Sequence, residues 1–215
     1  MKLHYHPLST YSRKAAIAIG LRGDPIELVM VDALSGSLKR EPHLSLNPFG
    51  KMPALELDDG SSVFESTSII EYLEEVIGPR RLLPDAHARK CRHFDRLSDF
   101  YLLDPIGKWF WDKTPEVFEK TKATTAKAWA FVEKELADGR PFICGDAITL
   151  ADIGPAIAAH YATTEDVPLS EVIRAYRVRL EENPVVAASR DAALPFLAAT
   201  KPRRAPKPTE SASAG

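Results

Sequence analysis

Ser9 and Ser12 stand three residues apart in Ser9-Thr10-Tyr11-Ser12, just ahead of a run with helical periodicity. A serine there can simply cap the helix. It can also do chemistry on a sulfur that belongs to a substrate. The hydroxyl donates a hydrogen bond, and the free N–H groups and positive end of the helix favour a thiolate. Each pKa unit of lowering from a free thiol's value of about 8.5 is worth roughly 1.4 kcal/mol. A second candidate is Met52-Pro53, between a glycine-containing loop and a strand. A cis bond there would turn the Met52 backbone N–H and C=O outward to pair with a peptide ligand; a trans proline at a strand's first position is the alternative. Third is Phe64-Glu65-Ser66 at a helix start. A Ser66 cap with unpaired N–H groups suits a carboxylate and Glu65 suits an ammonium, together an α-amino acid head group. A plain cap beside an exposed Glu is the simpler alternative.

These residues need elements to position them. Lys2–Tyr5 reads as a strand, and a helix follows from about Thr10 to Leu21, stopped by Gly23-Asp24-Pro25. Glu27–Val31 is a second strand, and Ser35–Ser45 holds a short helix. Ala54–Leu57, the turn Asp58-Asp59-Gly60 and Ser62–Phe64 form a hairpin. Ser66 then caps a helix with Ile69, Ile70, Leu73 and Ile77 on one face. The order β-α-β-(α)-β-β-α is thioredoxin-like, with one parallel crossover and one hairpin. In such redox proteins the Ser9–Ser12 place holds Cys-x-x-Cys; this chain has no thiol there. Residues 79–85 read as a linker, and the chain beyond them is all helical, over about 86–113, 115–137, 149–160, 169–182 and 185–199. Pro105-Ile106-Gly107 is expected to kink or break the first of these. Thr149-x-x-Asp152 is a capping-box variant, read as a structural cap, and 201–215 reads as a disordered tail. The expected domains are thus 1–78, thioredoxin-like, and 86–200, all-α.

Composition narrows the function. With 28 Lys+Arg against 30 Asp+Glu among 215 residues, the chain lacks a nucleic-acid binder's basic footprint. No apolar run reaches the ~18 residues of a membrane span, and the first residues hold no signal-peptide core. Cys91 and Cys144 make no disulfide scaffold and read as small buried hydrophobes in a reducing, cytoplasmic setting. His87, Cys91 and Asp95 form a column on one helix face, too widely spaced to close on one ion, so no metal is expected. That face reads as solvated or interfacial.

Three stretches taken together, His6–Lys14, Glu41–Leu55 with its Asn47-Pro48-Phe49-Gly50-Lys51-Met52-Pro53 loop, and Phe64-Glu65-Ser66, closely resemble the glutathione transferase family. The serine in His6-Pro7-Leu8-Ser9 is similar to that of its phi-like and related bacterial classes, and Ile148–Asp152 resembles its capping motif. The resemblance spans about residues 1–200 and implies an enzyme that activates glutathione, its co-substrate, as thiolate and conjugates it to an apolar electrophile. By position it makes Ser9 the activating hydroxyl and gives Met52 and Pro53 the cysteinyl backbone across a cis bond. Glu65 and Ser66 take the γ-glutamyl head group, and Lys39 and Lys51 the glycyl carboxylate. Lys51 stands where Gln is frequent and Leu38 where His often occurs, which touches affinity more than identity. Leu8, Tyr11, Phe100, Tyr101 and Trp109 are candidates for the electrophile pocket, because aromatic faces suit flat apolar reactants. The resemblance also implies a cytoplasmic homodimer with a detoxification role, with Phe49 either the dimer-locking aromatic or a core residue. Glutathione-dependent reduction of disulfides or peroxides, and a non-catalytic carrier or interaction module, are the alternative readings.

Overall fold

A computed structural model describes residues 1–32 and 35–204. Strands β1 (Lys2–Tyr5), β2 (Glu27–Met30), β3 (Ala54–Glu56) and β4 (Ser62–Phe64) form one sheet in the order β2-β1-β3-β4. β1 and β2 are parallel around α1 (Thr10–Arg22), Leu3 lying opposite Leu28; β3 runs antiparallel to both β1 and β4. The crossover and hairpin expected from the sequence are therefore both present. Between β2 and β3 come a single 3-10 turn (Ser37–Lys39) and the short α2 (His43–Leu46).

α1 is buried on nearly every side, because it is the shared wall of the two halves. Ala15 and Ile19 pack on Leu3, Leu55, Ile69 and Leu73 beneath the sheet. Ile17 and Ala18 join the larger core of the helical half. α3 (Ser66–Tyr72) continues as one π turn (Leu73–Ile77) that ends at Gly78. That wider turn changes the side-chain period. Ile69, Ile70 and Leu73 are fully buried as expected, whereas Ile77 faces solvent.

The connection out of α3 is pinned. Buried Arg22 pairs with buried Glu74 and donates to the carbonyls of Gly78 and Pro79, each at 2.9 Å. The other Glu74 oxygen accepts the backbone N–H groups of Arg81, Leu82 and Leu83 at 2.8–2.9 Å.

Beyond it lie α4 (Ala88–Ser98), a π turn (Asp99–Leu103), α5 (Asp104–Trp111), α6 (Pro115–Leu136), α7 (Leu150–Thr164), α8 (Glu171–Glu181) and α9 (Pro184–Arg204). The feature expected at Pro105 is met one turn earlier: the Asp104 N–H reaches back to the Asp99 carbonyl, a wide turn within a helical run that does not break. α9 runs to Arg204, so the first four residues of the expected tail are helical; 205–215 lie outside the described residues. The His87–Cys91–Asp95 face, expected to be solvated or interfacial, is corrected at Asp95, whereas the burial of Cys91 agrees with its reading as a small buried hydrophobe. Only His87 is exposed: Cys91 is buried with its sulfur 3.5 Å from that of buried Cys144, and Asp95 pairs with buried Lys14 at 2.7 Å. Phe49 is 63% exposed, which removes it from the core.

His160 on α7 predicts a pH dependence. Burial, then the charges of Arg13, Arg177 and Arg190, hold its imidazole down at about 3, and Nε2 has no hydrogen-bond partner. Between pH 6.5 and 3 the unfolded chain binds a proton that the native state refuses, so this residue makes stability fall as pH falls. His160→Gln should remove that slope. The stability difference, wild type minus variant, should drop by about 1.4 kcal/mol per pH unit between pH 6 and 4.5, read by urea unfolding.

Candidate functional site

Ser9 is the N-cap of α1, its Oγ accepting the Ser12 N–H at 3.2 Å. One lone pair is thereby used, while the hydroxyl hydrogen stays free to donate. Its backbone is clamped from both halves. The Ser9 N–H donates to the His6 carbonyl at 3.0 Å, and the Leu8 N–H to His6 Nδ1 at 3.1 Å. From α7, the Tyr161 hydroxyl donates to the Leu8 carbonyl at 2.5 Å. Burial lowers the His6 pKa, so its ring is the neutral tautomer that can accept at Nδ1.

The Met52–Pro53 bond is cis, the first of the two geometries open to it from sequence. The loop before it is braced: His43 Nε2–H and the Asn47 side-chain amide both donate to the Lys51 carbonyl, at 2.8 and 2.9 Å. Gly50 has φ +59°, and a Cβ there would meet the Leu38 carbonyl at 2.6 Å, so only glycine fits the turn.

Glu65 rather than Ser66 is the N-cap of α3, a correction of one position. It takes φ 67°, a conformation that costs a non-glycine residue of order 1–3 kcal/mol. Ser66 is the first helical residue and is buried at the end of a cavity.

Three adjoining cavities make one cleft. One of about 660 Å³ is lined by His6, Leu8, Ser9, Tyr11 and Met52 opposite Leu103, Gly107, Phe110, Trp111 and Tyr161. A second, about 350 Å³, runs past Asn47, Lys51, Met52, Pro53, Glu65 and Ser66 to Arg96, Asp99 and Phe100. A third, about 340 Å³, is lined by Glu65–Ser68 and by Arg92, Arg96 and Asp99. Tyr11 borders all three. Its hydroxyl donates to the Asp99 carbonyl at 3.3 Å, and burial, then Asp99, Asp104 and Glu65, push its pKa up, so it remains a neutral phenol. Beneath the polar end, Lys14 pairs with Asp95 and Asp99, each at 2.7 Å. One cation against two carboxylates leaves the Asp99 carboxyl raised, chiefly by burial.

Ser9, Lys51, Met52, Pro53, Glu65, Ser66, Leu8, Tyr11 and Phe100 thus meet in one cleft. Lys39 does not line it; its ammonium donates to the Phe49 carbonyl at 3.1 Å on the exposed loop alongside. Tyr101 is 54% exposed and lines none of these cavities. Trp109 turns away from the cleft: its indole N–H donates to the Glu165 carbonyl at 2.9 Å, and its ring packs on Phe118. The π turn is the reason. One extra residue per turn rotates everything after it by roughly 100°, which brings Phe110 and Trp111 to the cleft instead. Tyr161 and Asp99 escaped sequence reasoning because no local pattern links them to residues 6–11.

A family model described as glutathione S-transferase, N-terminal domain, matches residues 3–81. A glutathione S-transferase GstA of Escherichia coli O157:H7 is 30% identical over 195 residues, covering 86% of this chain and 95% of that protein. A maleylacetoacetate isomerase of Pseudomonas aeruginosa is 38% identical over 165 residues, 71% of this chain and 77% of its own. Among solved structures, Gtt2 from Saccharomyces cerevisiae superimposes with a TM-score of 0.77 at 22% identity, over 88% of this chain and all of that one.

Proposed function

The chain belongs to the glutathione S-transferase family, and from that footing we propose how its own residues run the reaction. It is a transferase with glutathione as co-substrate. In our reading Ser9 donates its free hydroxyl hydrogen to the glutathione sulfur, and the first turn of α1 adds N–H groups and a positive end. The thiol proton leaves to water, and the bound thiolate is the nucleophile. The Met52 backbone, followed by Pro53, pairs with the cysteinyl residue in strand fashion. Glu65 takes the γ-glutamyl ammonium, and Ser66 with the start of α3 takes its carboxylate. Lys51, with Lys39 beside it, faces the glycyl carboxylate. The electrophile enters between Leu8, Tyr11 and the α5 wall, held where sulfur can reach it.

The observation that carries this reading is the convergence of Ser9, Met52 and Glu65–Ser66 on one continuous cleft. Serine at position 9 favours conjugation over disulfide chemistry, which would want a thiol in that place. We assign residues 1–78 to glutathione binding, 79–85 to the linker and 86–200 to the helical domain that walls the electrophile pocket. The reading extends to a cytoplasmic, detoxifying homodimer, supported for the dimer by the exposed Phe49 ring.

The test is a titration with glutathione across pH, following ultraviolet thiolate absorbance. Bound thiolate should persist at least one unit below the free thiol's value of about 8.5. Binding without that signal would mean a carrier, and absence of binding would remove the transferase reading altogether.

A further inference from the structure

We infer that the bare backbone at Gly107 sets the size of the second substrate, which is an uncharged electrophile of two or more rings; this rests on the transferase reading above. Glycine inside a helix is destabilising against alanine, so a helical glycine needs a reason. Two others have one. A Cβ on Gly154 in α7 would lie 2.5 Å from the Ser98 Cβ, and one on Gly20 in α1 would lie 2.5 Å from a Val185 methyl. Gly107 has neither excuse: among the described residues a Cβ there meets nothing within 4 Å, and its φ is not in the left-handed region.

What Gly107 does have is a place on the cleft. It lies on the α5 face that borders the 660 Å³ cavity, one turn from Leu103 on one side and from Trp111 on the other. Between those two large side chains the missing one leaves a notch in the wall. A cavity of about 660 Å³ lies in the range of sites that hold drug-sized molecules, larger than a single ring needs.

Charge completes the description. Among the described residues lining this cavity, Lys108 is already paired with Asp104 at 2.8 Å, and Asp112 accepts the Thr114 N–H at 3.1 Å. His6 is buried beside it and spends Nδ1 on Leu8. Among the described residues of this lining the two carboxylates of Asp104 and Asp112 outweigh the one ammonium of Lys108, and that balance disfavours a carboxylate or sulfonate and leaves an uncharged partner.

The experiment compares kcat/KM, at saturating glutathione, for three probes: a neutral single-ring aryl halide, a neutral polycyclic aryl epoxide and a dianionic cis-enedione diacid. The halide releases its halogen as halide when the C–S bond forms. The epoxide opens its C–O bond, and the alkoxide takes a proton from water. Gly107→Leu should lower the polycyclic-to-single-ring ratio at least tenfold, and Gly107→Ala should move it the same way by less. Melting temperatures should not fall, since both residues are better helix formers. A ratio within twofold of wild type in a folded Gly107→Leu protein overturns the assignment, and a wild-type preference for the diacid overturns the uncharged class. If wild type turns over neither neutral probe, the inference falls; the glutathione titration then separates the two failures, because a surviving thiolate signal leaves the transferase reading standing.

Discussion

Ser9→Ala should lower kcat/KM for conjugation by about 10²–10³-fold, the range seen when one preorganised donor to a developing or bound anion is removed. The acid limb of the pH–rate profile should move up with it, towards about 8.5, because the sulfur loses the donor that favours its charged form. Alanine also removes a helix cap worth about 1 kcal/mol, and a frayed α1 would disturb the same cleft. Ser9→Gly separates the two effects, since glycine at an N-cap costs only a few tenths of a kcal/mol relative to serine. A hydroxyl role predicts that glycine loses as much activity as alanine, and that threonine keeps most of it. Near-normal turnover in Ser9→Gly would remove the hydroxyl from the mechanism and leave only the cap.

The largest stability effect is expected at Asp152. Its carboxylate is fully buried at the start of α7, where it completes a capping box with Thr149. One oxygen accepts the Thr149 N–H at 2.8 Å and its hydroxyl at 3.0 Å; the other accepts the Ile143 N–H at 2.9 Å and the Tyr176 hydroxyl at 2.5 Å. One side chain therefore holds the 143–149 loop, the helix start and α8 together. Asp152→Ala leaves those donors buried and unpaired, at roughly 1–3 kcal/mol for each that water does not reach. Partial relaxation keeps the total to about 3–5 kcal/mol, as for other broken buried polar networks. For a chain of this size that is a drop in melting temperature of roughly 6–20 °C. Tyr176→Phe removes a single bond and should cost only about 1 kcal/mol. Equal losses in the two variants would show that the Thr149 and Ile143 bonds add nothing to what the Tyr176 contact supplies, and would remove Asp152 from the centre of the network.

The parts of this molecule that were legible in the sequence are those whose physics is local. The Ser9 cap, the Ala54–Phe64 hairpin, and the Met52-Pro53 and Glu65-Ser66 dipeptides are each set by a few consecutive residues, and each lies where it was expected within one position. What was lost was lost to register and to distance. The π turns at 73–77 and 99–103 break the 3.6 period, which takes Ile77 off the face its spacing predicts and turns Trp109 away from the cleft. The burial of Asp95 needed Lys14, more than fifty residues away along the chain. Tyr161 reaches Leu8 across 153 residues, a contact that only the packed fold creates. Even the serine cap, so clear locally, gave no hint that a helix from the other half of the chain holds its loop.

The Arg22–Glu74 anchor under residues 78–83 also bears on how the two halves can move against each other. Enzymes that close on their substrates do so about a soft joint whose few residues absorb the rotation. Here the segment joining the two halves is fastened at three successive backbone N–H groups to Glu74, whose other oxygen is neutralised by buried Arg22. Rocking about that segment would break bonds to a buried carboxylate, so the joint is stiff rather than soft. A joint of that kind holds the α5 wall and the Ser9 loop in register, as a fixed hinge pin holds two plates.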